Sequence, residues 1–418
     1  MKPQKLFLFI FLIANIILNS CKESTTEPTA TKAEERGEII SITPLATFSA
    51  SQINLLVDFY NIPINQTLTY SVDAVKIVYI SEDIFGNNIE LSGALMIPQN
   101  GDDLPLFSLN HGTVTGRNEV ASVNPLNSVE GITGIISASI GYLTCVPDYP
   151  GFGVSNLLHP YIHAKSLSIA VIDFIRAAKN YADQQSILLN GKLFLSGYSE
   201  GGYVTLASQK EIEADYSGEF SITAVAPMAG PYDLLGTARA LLQQTTYDWP
   251  AYLAFLITAY NDLYSWNRLS DIFNAPYAAM IPGLFDGSKS FSEVNNQLPT
   301  TISDWINPAF INGFINGSET EVIAALKENT LLNWTPLAPI RFFHGDSDDS
   351  VPYQNALTAL DSLIANGGTN IDLVTIPGGD HASSGIPAIL GMLDYFEPFR
   401  ITSKVHITNI FYKREMQN

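Results

Sequence analysis

KLFLSGYSEGGYVTLASQKEIEA, residues 192–214, passes from an apolar strand through a glycine-framed turn into a helix. The turn is Gly197-Tyr198-Ser199-Glu200-Gly201-Gly202. A chain that reverses this sharply between strand and helix holds the central serine in a strained, exposed position. The flanking glycines remove side chains that would clash there. The helix N-terminus also sets positive partial charge beneath the serine. Ser199 therefore reads as a nucleophile, which needs a base to take its proton.

On either side of this turn, apolar runs alternate with helical periodicity. Val72 to Ile80 and Ile89 to Ile97 flank Gly86-Asn87-Asn88 and read as an antiparallel hairpin. Short apolar strands follow at Leu104 to Leu109 and Gly141 to Pro147. The next segment, Ala164 to Tyr181, carries Leu167, Val171, Phe174, Ile175 and Ala178 at helical spacing. Further strands are expected at Ile222 to Met228, Ile340 to Phe343 and Ile371 to Ile376. Helices are expected at Tyr353 to Ile364 and Ile386 to Phe396. This pattern predicts an α/β fold: a mostly parallel central sheet flanked by helices, with its site at the carboxyl ends of the strands. The alternation stops over residues 232–339, which hold helical segments and all four Trp residues, 249, 266, 305 and 334. That stretch reads as an inserted helical cap, with residues 275–283 as a candidate lid element. Residues 46–231 and 340–400 form the core on this reading, and 401–418 a tail.

Two later histidine-bearing segments follow short strands: His344-Gly345-Asp346-Ser347-Asp348-Asp349-Ser350-Val351-Pro352 and Gly378-Gly379-Asp380-His381-Ala382. His406 lies beyond the last helix and is a poor candidate for the base. The HG-x-x-D-x-x-VP and GG-D-H-A arrangements, with the serine turn, resemble the corresponding turns of α/β-hydrolases. That resemblance implies partners in the order serine, acid, histidine, with Asp348 as acid, His381 as base and His344 as a structural residue. It also implies an oxyanion hole built from the backbone N–H of Glu200 and, through LNHGT, of Thr113. PDYPGFG, residues 147–153, resembles a loop of the secretory lipases and related esterases. Tyr149 and Tyr198 are the candidate pocket residues beside these loops, and His111 reads as a brace for its own loop.

The implied activity is serine ester hydrolysis, carboxylesterase-like or lipase-like, on a small-molecule, lipid or acylated-glycan ester. It requires no cofactor and no metal. A serine peptidase of prolyl-oligopeptidase or aminopeptidase type is the alternative enzyme, and a non-catalytic surface binder on a hydrolase scaffold is the alternative from another class. A net charge of −20 excludes a nucleic-acid partner. The spacing of His159 and His163 permits zinc on a helix, but Pro160 between them argues against it. Cys145, in YLTCVP, reads as a buried strand residue.

The N-terminus has basic Lys2 and Lys5, an apolar run over 6–18 and Leu18-Asn19-Ser20-Cys21, which resembles a bacterial lipobox. Residues 1–20 are then a lipoprotein signal peptide, Cys21 the lipidated mature N-terminus and 21–45 a flexible tether. The expected location is the cell envelope, on the bacterial outer membrane or cell surface.

Overall fold

The computed structural model describes residues 35–401. Its chain order begins β1 (Ile39–Phe48), α1 (Ala50–Phe59), β2 (Val72–Glu82), β3 (Asn88–Pro98) and β4 (Leu104–Asn110). It continues with α2 (Val129–Ile140), β5 (Leu143–Pro147), α3 (Ala164–Gln184), β6 (Leu189–Tyr198), α4 (Glu200–Asp215) and β7 (Ile222–Met228). Between β7 and β8 (Ile340–Gly345) the chain is helical, led by α5 (Leu234–Leu242) and α6 (Pro250–Leu263). The short helices α7 (Leu269–Ile272), α8 (Tyr277–Met280), α9 (Phe291–Asn295) and α10 (Ile302–Trp305) follow, then α11 (Pro308–Asn316) and α12 (Thr320–Glu328). The described chain closes with α13 (Gln354–Ala365), β9 (Ile371–Ile376) and α14 (Gly385–Ile401).

The nine strands form one sheet in the order β1-β2-β3-β5-β4-β6-β7-β8-β9. The β1–β2, β2–β3 and β3–β5 pairs are antiparallel, and every pair from β5 to β9 is parallel. Side chains alternate across the sheet. Leu193 and Leu195 of β6 face the core that includes α3, α4 and the inter-strand helices, while Phe194 faces the core of α1, α2 and α14. The same period of two appears in β7, where Val225 faces one core and Ala224 and Ala226 the other. With both faces covered, the central strands are apolar throughout, as a parallel sheet requires. The chain leaves β4 toward β5 on one side and returns to β6 on the other. The crevice at the carboxyl ends of β4 and β6 is therefore a topological switch point, where α/β sheets bind ligands.

At the N-terminal end the fold departs from the expected tether. Residues 39–45, expected within a flexible tether, belong to β1 and pair with β2 from Ile39 opposite Tyr79 onward. Most of β1 is exposed on both faces. Its backbone ladder fixes it, with little side-chain burial, so no apolar alternation marks it. The expected signal peptide, Cys21, tether residues 21–34, His406 and tail residues 402–418 lie outside the described residues. Among the described residues, no helix is long and apolar enough to cross a membrane.

Candidate active site

Ser199 has φ 59° and ψ −121°, in the left-handed region that non-glycine residues rarely enter, at a cost of about 1–3 kcal/mol. Its N–H donates to Met228 O of β7 at 2.9 Å. The neighbouring strands press closely on this turn. A Cβ on Gly201 would lie 2.1 Å from Asn110 O, and one on Gly202 would lie 2.2 Å from Met228 O. The glycines thus let β4, β6 and β7 converge on the turn that presents the serine.

Ser199 Oγ lies 2.9 Å from His381 Nε2, and His381 Nδ1 lies 2.7 Å from Asp348 Oδ2. With Nδ1–H donating to the carboxylate, Nε2 offers its lone pair to the serine hydroxyl. The His381 turn is tied at both ends, since Ser383 N donates to Asp380 Oδ1 at 2.7 Å and Tyr198 Oη donates to His381 O at 2.6 Å. Asp348 is held just as firmly. Its Oδ1 accepts from Ser350 N at 3.0 Å and Val351 N at 2.8 Å, and His344 Nε2 lies 3.2 Å from Oδ2. Burial alone would raise the Asp348 pKa. Hydrogen bonds from His344, His381 and Val351 N–H outweigh it and hold the carboxyl well below the usual range. The neighbouring carboxylates are engaged elsewhere: Asp346 Oδ1 accepts from Gly378 N at 2.7 Å, and Asp349 Oδ1 from Ser350 Oγ at 3.4 Å. His344 Nε2–H also donates to Val351 O at 2.9 Å, which braces the turn carrying Asp348.

The 111–113 loop leans on this turn, so that a Cβ on Gly112 would sit 3.2 Å from Tyr198 O. Gly112 N–H donates to Glu130 Oε1 at 3.0 Å, and Gly112 O accepts from His111 Nδ1 at 2.8 Å. Among the described residues, the backbone N–H groups of Thr113 and Glu200 have no hydrogen-bond partner. Both residues line cavities that also include Ser199. Burial lowers the His111 pKa to about 4, so this imidazole stays neutral at pH 7 and serves as a packed brace.

Tyr149 is not a pocket residue. It is fully buried, stacks on His111 at 4.0 Å between ring centroids and donates from Oη to His111 O at 3.0 Å. It therefore props the loop from behind, and neither cavity at Ser199 is lined by it. Tyr198 does line the cavity that holds His381. His159 and His163 are separate: His163 caps α3, and His159 Nε2 lies 2.7 Å from Glu200 Oε1. His159 Nδ1 lies 2.8 Å from Pro150 O, so the ring is held at both nitrogens. This buried pair fixes the residue that follows the nucleophile. The spacing of 41 residues hid it from sequence reasoning. No cluster of possible metal ligands occurs among the described residues.

Two cavities meet at Ser199. One is narrow and almost wholly apolar, lined by Leu234, Leu241, Leu253 and Leu256 with Tyr161 and Tyr247. The other is open, about 800 Å³, and holds His381, Thr113 and Tyr198. Tyr252 of α6 borders both. The helical segment contributes to the open cavity through Tyr252 and Ser290-Phe291-Ser292. Residues 275–283, expected as a lid element, line neither cavity. Arg117 N–H donates to Gly287 O and Thr115 Oγ1 to Lys289 O, which fastens the neighbouring 287–289 stretch to the loop after β4.

The family sequence model of the secretory lipases matches residues 131–262, which include Ser199. That of the prolyl oligopeptidase family matches residues 297–391, which include Asp348 and His381. Among solved structures, a rice cell wall degrading esterase, LipA, from Xanthomonas oryzae superposes with a TM-score of 0.78 at 27% identity, over 88% of this chain and 100% of that one. This chain is an α/β-hydrolase, secretory-lipase-like in its resemblance. A Legionella pneumophila protein described as a hydrolase matches this α/β-hydrolase with a TM-score of 0.80 at 26% identity, covering 88% of this chain and 99% of that one. Candida antarctica lipase A in its closed state shares the fold, with a TM-score of 0.67 at 17% identity over 90% and 86% of the two chains. No curated protein matches this sequence.

Proposed function

We propose that this lipase- or esterase-like α/β-hydrolase cleaves carboxylic esters through an acyl-enzyme on Ser199. The observation that carries the reading is the chain of hydrogen bonds Ser199 Oγ–His381 Nε2 and His381 Nδ1–Asp348 Oδ2, set at the mouth of an apolar cavity. His381 takes the serine proton as Oγ attacks the ester carbonyl. Asp348 holds the imidazole in the required tautomer and stabilises the imidazolium. The N–H groups of Glu200 and Thr113 receive the developing oxyanion. His381 then returns the proton to the departing alcohol, and water releases the acyl group by the same steps in reverse. The apolar cavity beside Glu200 is suited to the acyl chain.

The match of residues 297–391 to the prolyl oligopeptidase family supports a second reading, amide cleavage by the same residues. A graded series of nitrophenyl esters assayed beside aminoacyl-nitroanilides separates the two. Ester turnover with inert anilides is the expected result, and rapid anilide turnover with poor ester turnover would replace the first reading by the second. The lipobox-like Leu18-Asn19-Ser20-Cys21 and the secretory-lipase resemblance together support an envelope location, with a lipid on Cys21. Mass analysis of the mature N-terminus tests this, since a chain starting elsewhere with free Cys21 contradicts it.

A further inference from the structure

Beyond the open cavity lies a third, apolar hollow of about 270 Å³ between the end of α1, α2 and α14. Its walls include Tyr60, Ile64, Ile132, Ile136, Ile386 and Leu390. It shares Val129, Thr133 and Ile389 with the cavity that holds Ser199 and His381, so the two adjoin along these side chains. It shares no residue with the narrow apolar cavity beside Glu200. Its rim exposes apolar surface that folding leaves in water: Val129 is 61% exposed, and Tyr60 and Ile386 are each 56% exposed.

The chemistry of the proposed reaction decides which part of a substrate reaches this hollow. When Ser199 Oγ bonds to the acyl carbon, the bond from that carbon to the alcohol oxygen breaks. The proton that His381 took from Ser199 passes to that oxygen. The alcohol must therefore leave through the cavity containing His381, and the acyl chain occupies the other. We propose that the α1–α2–α14 hollow seats an apolar chain of the departing alcohol. The substrates are then esters with apolar arms on both sides of the scissile bond. This inference rests on the ester-hydrolase reading and extends it to the alcohol side.

The test compares kcat/KM for methyl butyrate and hexyl butyrate, both dissolved below their solubility limits. Each methylene withdrawn from water is worth about fourfold, so partial burial in an open hollow should favour the hexyl ester by at least about tenfold. Ile389→Trp, at the junction of the two cavities, should bring the ratio close to one. The double variant Tyr60→Ser and Ile386→Gln changes exposed positions only and should lower the ratio severalfold while the protein stays folded. A wild-type ratio near one, or a ratio unmoved by both variants, overturns the inference while leaving ester hydrolysis intact. Failure to turn over either ester overturns both readings. If the surface variants affect only emulsified substrate and spare the ratio for dissolved esters, the face docks on a lipid surface and the alcohol-chain inference falls.

Discussion

Asparagine in place of Asp348 keeps the shape of the side chain and changes only what it can donate or accept. Ser350 N–H and Val351 N–H both point at Oδ1, at 3.0 and 2.8 Å, so the amide oxygen must occupy that position. The NH₂ group then takes the place of Oδ2, 2.7 Å from His381 Nδ1. An amide NH₂ can only donate, so His381 must present a lone pair at Nδ1 and carry its proton on Nε2. That proton faces Ser199 Oγ at 2.9 Å, where a lone pair is needed. The base is lost through a tautomer change with the geometry intact. Such an inversion costs about 10⁴ in kcat, or roughly 5 kcal/mol of transition-state stabilisation. The assay is kcat/KM on nitrophenyl butyrate, with thermal melting to show that the variant is folded. Asp346→Asn and Asp349→Asn serve as controls and should retain most activity. A folded Asp348→Asn enzyme within tenfold of wild type, or a dead Asp349→Asn enzyme, would mean that Asp348 is not the acid that orients His381.

Tyr198→Phe removes the 2.6 Å hydrogen bond to His381 O and should lower kcat by roughly fivefold with little change in KM, since about 1 kcal/mol of positioning is lost; unaltered kcat would mean that the turn needs no such tie. Leu253→Ala with Leu256→Ala should enlarge the narrow cavity and raise the ratio of long- to short-chain acyl ester turnover, whereas a lower melting temperature with an unchanged ratio would leave these residues a purely structural role. Burial raises the Asp148 pKa to about 6 against hydrogen bonds from Ser122 and Ser92. A carboxyl whose folded pKa exceeds its unfolded value stabilises the protein fully below the unfolded pKa and loses that stability as pH rises through about 6. The stability of wild type relative to Asp148→Asn should therefore fall between pH 4 and pH 7, by roughly 3 kcal/mol, and a flat difference in urea melts would contradict it.

Much of the architecture was legible because the core strands and the amphipathic helices carry their periodicity in the sequence. The segments Ile222–Met228 and Ile371–Ile376 have the same ends in both readings. Elements without a periodic signal were missed. In α2, VEGITGIISASI, burial runs almost continuously from Gly131 to Ile140, so no polar face reveals a helix. The edge strand β1 relies on its backbone ladder, which leaves little trace in side-chain pattern. At the site, Ser199, Asp348 and His381 stand next to glycine-marked turns whose spacing is local, and the structure brings them within hydrogen-bonding distance. Tyr149 was misplaced because adjacency to a loop does not say which way a ring points. Its ring packs under His111, away from both cavities at Ser199. The His159–Glu200 pair joins distant segments, and only the folded sheet brings them together.

If Ser199 is the residue acylated by substrate, a covalent serine-directed probe must find it. Treatment with a fluorophosphonate, followed by peptide mass analysis, should place one label per chain on Ser199 and abolish ester turnover in proportion to labelling. The Ser199→Ala protein should take up no label and lose turnover by about 10⁴ or more. Label on another residue, or an alanine variant that still hydrolyses ester near the wild-type rate, would rule out Ser199 as the nucleophile.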